Sequence, residues 1–328
     1  METEKASRVV ALDMTKGVLV AFMVLYHSLN YTTQYFLAFR YMAFLPPSFI
    51  LIVGFLLSSV YSTRYRFNDW RLYKRLLQRG IKLILLFTLL NIAALVSRGE
   101  ITESLQTFFR NAFDIYAMGA GRFAAFEILL PIGYLLMLAP ALIFLNYLHR
   151  LALPAIAVCL FAVCAVLDHS GASSLNLNML GAGTLGMVLG RCDFQGLNLL
   201  GRFWHVALLA YCVVALVGAV TGQTYLCQIL GACAALALIY GLCVKFQEDG
   251  WLQGRLLRLG QYSLVSYIVQ IGLLQIFVRL LGRPELWSAE FLLFLFGTLS
   301  IMTLFVEAVE WARTRSLGVE TLYRAVFA

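Results

Sequence analysis

Ten long apolar stretches follow one another along this 328-residue chain, and they constrain its fold more than any other feature. We place them at about residues 10–31, 43–62, 80–97, 123–146, 151–167, 175–190, 203–221, 224–244, 262–281 and 287–311. Most reach the ~20 residues that an α-helix needs to cross ~30 Å of hydrocarbon. Only 13% of the residues are charged, against about a quarter in soluble domains. The pattern predicts an all-α integral membrane bundle of about ten transmembrane helices, forming one integral domain over residues 1–328.

The basic residues predict which helix ends face the cytoplasm. With a cytoplasmic N-terminus, 19 of the 25 Lys and Arg residues fall on the inner side, which is the bias that sets orientation. The six on the outer side are Arg40, Arg98, Arg110, Arg122, Arg279 and Arg283. Ten helices with both termini cytoplasmic satisfy this bias, and a nine-helix arrangement with the termini on opposite sides is the alternative. We expect a multi-pass plasma membrane protein, with the bacterial inner membrane as the first candidate.

The first apolar stretch carries three ionisable residues on one helix face. Lys16 and His27 are eleven positions apart, which is roughly 20° past three full turns and ~16 Å along the axis. Asp13 precedes Lys16 by three residues and can neutralise it as a local ion pair. Ionisable residues within a membrane span usually mark a functional site. The stripe therefore predicts a site for a long polar substrate that threads into the membrane.

The longest polar stretches are predicted loops at about residues 63–79 and 98–122, on either side of the third apolar stretch. In residues 63–79, the segment Trp70–Arg79 alternates apolar and basic residues at helical spacing. This pattern predicts an amphipathic helix that lies on the inner leaflet. In the alternative interpretation, some of Arg71, Arg75 and Arg79 turn inward to bind cofactor phosphates, for which guanidinium geometry is suited.

Four further polar residues are candidates on the outer side. Arg122 lies at the end of the outer stretch 98–122, which could hold an acceptor substrate. Glu127 lies a few residues into the fourth stretch at roughly the depth of His27, where it could orient the imidazole or hold a proton. A solvated glutamate at the helix start is the equal alternative. Asn176 and Asn178 are expected either to bind sugar or, as the favoured alternative, to bridge helices.

The first apolar stretch contains the pattern Leu12-Asp13-x-x-Lys16-Gly17, with His27 eleven residues after Lys16. This pattern resembles the opening of the acyltransferase-three family of multi-pass membrane acyltransferases, in which an essential histidine follows a basic residue at the same spacing. Further similar segments are Phe49–Leu57, Tyr73–Arg79 and Leu259-Gly260-Gln261-Tyr262-Ser263-Leu264-Val265-Ser266-Tyr267-Ile268-Val269-Gln270. Lys16 replaces the family's commoner arginine, and Gln270 stands where many members have histidine. The opening is also similar to that of periplasmic glucan succinyltransferases and heparan-glucosaminide acetyltransferases.

The resemblance implies transfer of an acyl group, usually acetyl, from cytoplasmic acyl-CoA to a hydroxyl of an extracytoplasmic glycan or lipid-linked sugar. His27 would be the catalytic residue, as general base or as acyl carrier, with Glu127 as its catalytic partner. The donor would be bound by Asp13, Lys16, Arg75, Arg79, Ser263, Tyr267 and Gln270. The acceptor would be bound by Arg122, Asn176 and Asn178. Ser263, Tyr267 and Gln270 recur at intervals of four and three, so they share one helix face.

The main alternative is a transporter or flippase that uses the buried Asp13, Lys16, His27 and Glu127 as a proton relay or substrate site.

The seven cysteines form no C-x-x-C pair, so neither a disulfide framework nor a metal site is predicted. The net charge of +8 follows largely from topology, and nucleic acid is not an expected partner. The lipid bilayer is an expected partner. The sequence leaves open whether the protein forms a homodimer.

Overall fold

A computed structural model describes residues 10–32, 41–61, 70–96, 101–119, 125–191, 202–222, 224–246 and 250–327. Within these ranges the chain forms helices and turns and contains no strand. The prediction of an all-α protein is therefore confirmed.

The described chain forms thirteen helices. They are α1 Val10–Asn30, α2 Leu45–Leu56, α3 Trp70–Val96, α4 Ile101–Arg110, α5 Leu129–Leu148, α6 Ala152–His169, α7 Leu175–Leu189, α8 Trp204–Thr221, α9 Tyr225–Lys245, α10 Trp251–Gln261, α11 Ser263–Leu281, α12 Ala289–Arg315 and α13 Leu317–Phe327. π-Helical turns extend α2 over Leu57–Tyr61, follow α4 at Asp114–Met118 and lie within α12 at Leu293–Gly297.

Eight helices of the described chain are long and apolar enough to cross a membrane: α1, α3, α5, α6, α8, α9, α11 and α12. The apolar stretches at 43–62 and 175–190 form the shorter apolar helices α2 and α7. Each predicted stretch thus contains a helix, and the protein is a multi-pass membrane protein. Large apolar side chains are exposed on several of these helices, including Leu85, Leu89, Val158, Leu209 and Val220. Such a surface is suited to lipid and not to water.

Two predictions about polar segments are wrong in detail. Trp70–Arg79 is not a separate interfacial helix, because it forms the first turns of the continuous 27-residue helix α3. Long basic side chains at the end of a span can reach the interface while their stems remain against apolar surface. The outer stretch 98–122 is not simply a loop, since it contains α4 and a π-helical turn.

The chain divides into two compact units, each discontinuous in sequence. The first unit covers residues 1–45, 195–223 and 230–328, and the second covers residues 46–194 and 224–229. Each unit is built from helices that meet at glycines. The prediction of a single integral domain stays a prediction.

In the first unit, α1 and α10 cross at Gly17 and Gly260. A Cβ on Gly260 would lie 2.8 Å from the Asp13 carbonyl carbon and 2.9 Å from the Gly17 nitrogen. A Cβ on Gly17 would lie 2.7 Å from the carbonyl carbon of Leu256. Only residues without a side chain permit this approach, which is a common basis of helix packing in membranes.

Helix directions in the first unit follow from contacts further along. Beyond the Gly17–Gly260 crossing, the rings of His27 and Tyr267 lie 6.0 Å apart. In each of the two segments the Gly17–Gly260 contact lies before the His27–Tyr267 contact, so α1 and α11 run in the same direction. In contrast, Tyr262 at the start of α11 bonds to Glu310, and Phe277 near its end packs on Phe294 at 5.6 Å. Helix α12 therefore runs antiparallel to α11.

In the second unit, two helix pairs meet at glycines in the same way. A Cβ on Gly54 of α2 would lie 2.9 Å from the carbonyl carbon of Gly183 in α7. A Cβ on Gly80 of α3 would lie 2.7 Å from the carbonyl oxygen of Gly133 in α5. Gly80 directly follows the basic segment, so this crossing lies at the end of the first turns of α3.

Candidate functional site

The N-terminal half of α1 carries a buried ion pair. Lys16 Nζ lies 2.5 Å from Asp13 Oδ1, one turn earlier on the helix. Asp13 is 6% exposed, whereas the Lys16 side chain remains partly exposed. The predicted pairing is therefore confirmed, and it leaves the lysine ammonium as the more accessible of the two groups.

Two arginines of α10 lie at the same end of the first unit. Arg255 and Arg258 lie five and two residues before Gly260, and both face Glu307 of α12. The Arg255 Nε atom lies 3.6 Å and an Arg258 guanidinium nitrogen 3.8 Å from the same carboxylate oxygen, Glu307 Oε1. One carboxylate thus forms ion pairs with two guanidinium groups. Both arginine side chains remain partly exposed, so each can pair with an incoming anion.

These two arginines were not among the predicted site residues. Their spacing of three, directly before the Leu259-Gly260 motif, was the signal that could have identified them. Together with the Asp13–Lys16 pair they form what we call the cationic end, defined by Asp13, Lys16, Arg255, Arg258 and Glu307. It combines three cations with two carboxylates, so its excess charge is positive.

His27 lies near the C-terminal end of α1, between two aromatic side chains. Its ring centroid is 6.0 Å from that of Tyr267 and 5.3 Å from that of Tyr26. The Nε2 atom is buried and has no hydrogen-bond partner among the described residues. This nitrogen is therefore available to a hydrogen-bonding group of a ligand.

Four more buried polar side chains of the first unit share this property. Within the described chain, no partner is found for Ser28 Oγ, Ser266 Oγ, Thr298 Oγ1 or either amide atom of Gln270. All four residues are fully buried. Gln270 follows Tyr267 by about one turn, so it lies level with the His27 end of α1. Thr298 follows Phe294 by about one turn on α12. Since α12 runs antiparallel to α11, Thr298 lies at a level between those of Phe277 and Gln270 on α11.

We call His27, Ser28, Ser266, Gln270 and Thr298 the neutral polar cluster. A buried donor or acceptor without a partner costs ~1–3 kcal/mol, and native proteins contain few of them. Five such residues in one part of one unit are unusual. The cluster contains hydroxyl, amide and imidazole groups and no permanent charge, so its chemistry differs from that of the cationic end.

The predicted shared face of α11 is found for two of its three residues. Tyr267 and Gln270 are buried, whereas Ser263 at the first position of the helix is partly exposed. The preceding residue, Tyr262, is buried at the junction of α10 and α11, and its hydroxyl bonds to Glu310 and Arg313. Burial and the adjacent carboxylate raise the pKa of the Tyr262 hydroxyl, so it stays neutral.

Glu127 belongs to the second unit and lies in the turn before α5, not within the helix as predicted. The preceding residue, Phe126, has a φ of 61°, which is strained for a bulky side chain. Buried Asn91 of α3 stabilises this turn, since its amide donates to the Ala125 carbonyl at 2.9 Å and accepts from the Ala125 N–H at 2.7 Å. Burial raises the pKa of the Glu127 carboxyl to about 7.

Asn176 and Asn178 begin α7 and make different contacts. The amide of Asn176 donates to the Tyr116 carbonyl at 2.8 Å, so Asn176 forms the helix-bridging bond that was the favoured interpretation. The same carbonyl accepts from the Tyr134 hydroxyl at 2.8 Å. Asn178 Oδ1 is buried and has no partner in the described part of the chain. Of the pair, Asn178 therefore has the free acceptor.

The remaining predicted residues are Arg75, Arg79 and Arg122. Arg75 is exposed and Arg79 partly buried in the first turns of α3. Arg122 lies outside the described residues. The described residues contain no cluster of His, Cys, Asp and Glu that could hold a metal ion. Asp13, Lys16, His27, Ser263, Tyr267 and Gln270 are brought together in one unit, while Arg75, Arg79, Glu127, Asn176 and Asn178 belong to the other.

Comparisons of the chain with protein-family models, with curated proteins and with solved structures give no match. Its function has to be inferred from the chemistry at the two ends of α1.

Proposed function

We propose that the protein is a membrane acyltransferase that moves an acyl group, most simply acetyl, from cytoplasmic acyl-CoA to a hydroxyl of an extracytoplasmic glycan or lipid-linked sugar. The observation that carries this proposal is the division of α1 into a cationic end at Lys16 and a neutral polar cluster at His27. Acyl-CoA has the same division, since its phosphates are charged and its thioester is neutral. The axial separation of ~16 Å between the two residues resembles the reach of an extended pantetheine arm.

The cationic end suits the phosphates of the donor. Lys16, Arg255 and Arg258 remain partly exposed, and guanidinium groups bind phosphate in a bidentate manner. Glu307 holds the two arginines in place before the donor arrives, which reduces the conformational entropy lost on binding. In the ten-helix topology with cytoplasmic termini, this end faces the cytoplasm, where acyl-CoA is found.

The cluster at His27 suits the reacting atoms. As general base, His27 Nε2 takes the proton of the acceptor hydroxyl while the hydroxyl oxygen attacks the thioester carbonyl. As acyl carrier, the same nitrogen attacks the carbonyl first and later passes the acyl group to the acceptor. Both routes need a neutral imidazole with a free Nε2, and the buried and unpartnered state of that atom supports either.

Binding of acyl-CoA to purified protein tests the proposal. Lys16→Ala removes one charge-assisted contact, worth ~1.5–3 kcal/mol, so donor affinity should fall roughly ten- to hundredfold. Lys16→Arg should bind normally because the charge is kept. Lys245→Ala, which removes an exposed lysine at the end of α9, is the matched control and should bind as wild type does. Titration calorimetry in detergent measures all four proteins.

Turnover separates the roles of the two ends. His27→Ala should bind acyl-CoA nearly normally and lose transfer by ~10² or more, while His149→Ala, at an exposed histidine, should keep it. Mass spectrometry of cell-envelope glycans from deletion and wild-type cells identifies the acceptor through a lost acyl mass. Absence of acyl-CoA binding to the wild-type protein would refute the proposal and favour a transporter or flippase that uses the same polar residues.

A further inference from the structure

Gln270 is the most unusual residue of the neutral polar cluster. Its side chain is 0% exposed, and neither its amide nitrogen nor its amide oxygen has a partner among the described residues. The serine hydroxyls nearby can rotate to bond to a carbonyl of their own helix, as Ser and Thr commonly do. The longer glutamine side chain holds its amide away from its own backbone, so Gln270 forms such a bond to its own helix less readily. Gln270 therefore carries the larger desolvation cost, and its amide is the group best placed to recover that cost by binding a ligand.

The position of Gln270 brings this amide to the reacting end of the site. It follows Tyr267 by about one turn on α11, and the Tyr267 ring lies 6.0 Å from the His27 ring. Three residues span ~4.5 Å along a helix axis, so the amide lies within about one turn of the level at which Tyr267 meets the imidazole. An uncharged donor in a buried site is suited to an oxygen that is neutral in the substrate and becomes negative during reaction.

We infer that Gln270 is a catalytic residue whose amide N–H donates to the carbonyl oxygen of the acyl thioester and stabilises the negative charge that develops there. The inference rests on the acyl transfer proposed above and adds a second group to it. In the general-base route, His27 accepts the proton of the acceptor hydroxyl. Gln270 stabilises the negative charge that develops on the carbonyl oxygen.

The step balances as follows in the general-base route. The acceptor oxygen forms a bond to the thioester carbon, its proton moves to His27 Nε2, and the carbonyl π electrons move to the oxygen that Gln270 binds. When the carbonyl re-forms, the carbon–sulfur bond breaks, and the leaving thiolate takes the proton from His27. The products are the acyl ester and free CoA thiol. In the acyl-carrier route, His27 Nε2 attacks the thioester carbon first, the carbon–sulfur bond breaks, and CoA leaves as the thiolate. The acceptor oxygen then attacks the acyl-imidazolium, the carbon–nitrogen bond breaks, and the acceptor proton goes to the CoA thiolate. Gln270 binds the carbonyl oxygen in both attacks.

Replacement of Gln270 by an apolar residue of similar size separates catalysis from stability. Gln270→Leu removes both unpartnered amide atoms, so its melting temperature should equal or exceed that of wild type. Its kcat should fall ~10²–10³-fold, as when one oxyanion donor is lost, with the KM for acetyl-CoA nearly unchanged. Gln275→Leu, on the same helix, is the matched control and should keep the wild-type kcat. Gln270→Met gives the same test with an unbranched side chain if the leucine variant does not fold.

A vibrational measurement tests the hydrogen bond without turnover. Acetyl-CoA labelled with ¹³C at the carbonyl is bound to His27→Ala protein, and its carbonyl stretch is recorded by infrared difference spectroscopy. The band should lie at lower frequency than in free acetyl-CoA, and Gln270→Leu in the same background should return it toward the free value.

The outcomes distinguish the two proposals. If the wild-type protein transfers acetyl and Gln270→Leu transfers it equally fast, the role of Gln270 is refuted and acyl transfer stands. The same holds if the carbonyl band in His27→Ala protein is the same with and without Gln270→Leu. If the wild-type protein neither binds nor consumes acyl-CoA, the proposed function is refuted, and the role of Gln270 with it.

Discussion

Gly260→Ala should destabilise the first unit, because the added Cβ has no room against the backbone of α1. It would lie 2.8 Å from the Asp13 carbonyl carbon and closer still to the carbonyl oxygen, whereas ordinary contacts begin at 3.4 Å. Backbone atoms cannot rotate away as a side chain does, so α1 and α10 must separate by at least the difference, about 0.6 Å. Overpacking of this kind typically costs ~1–3 kcal/mol. The shift also moves Asp13 and Lys16 relative to the arginines of α10.

Gly254→Ala on the same helix is the matched control. A Cβ at Gly254 has no heavy atom within 4 Å, so alanine there should be neutral or stabilise α10 by up to ~1 kcal/mol. Thermal unfolding of the detergent-solubilised protein compares the two variants with wild type, and the donor titration reports on Lys16. We expect Gly260→Ala to melt earlier and bind acyl-CoA more weakly, and Gly254→Ala to do neither. Equal melting temperatures for Gly260→Ala and wild type would refute the close crossing.

Three further predictions concern the second unit and the topology. Asn91→Leu leaves the N–H and carbonyl of Ala125 without their partner, so it should lower stability by ~1–3 kcal/mol and the melting temperature with it. Because burial raises the pKa of Glu127 from 4.5 to about 7, the folded state binds the proton more tightly, and stability should fall as pH rises from about 4.5 through 7. The whole effect is at most about 3 kcal/mol, and Glu127→Gln should abolish this part of the pH dependence of melting. A reporter fused to the C-terminus should be cytoplasmic and one inserted at Gly171 external; the opposite result at either site would exclude the ten-helix topology.

The helices could be predicted from the sequence because their signal is local. A run of about twenty apolar residues is stable in lipid only as a helix that satisfies its own backbone, and all ten predicted stretches contain one. The Asp13–Lys16 pair is equally local, since residues three apart on a helix are neighbours. Both depend on spacing within a single element.

Features that depend on two elements could not be predicted in this way. The approach of Arg255 and Arg258 to Glu307 requires α10 and α12 to be adjacent, and no spacing in the sequence specifies that. The strained turn at Phe126 depends on Asn91, more than thirty residues earlier. Trp70–Arg79 was assigned to a separate helix because its charges lower the local hydropathy, although nothing in the segment ends a helix: it lacks proline, and its glycine neighbour Gly80 packs against α5.

The Gly17–Gly260 crossing gives a physical reason for two motifs that are far apart in the sequence. Leu12-Asp13-x-x-Lys16-Gly17 and Leu259-Gly260 pack directly on each other, backbone against backbone, so each needs a glycine where the other approaches. This contact holds the cations of α10 beside the Lys16 end of α1. Because α11 directly follows α10, the crossing also sets the level at which Tyr267 meets His27. One crossing therefore fixes both ends of the site, and a substitution that separates the helices there should weaken donor binding and turnover together.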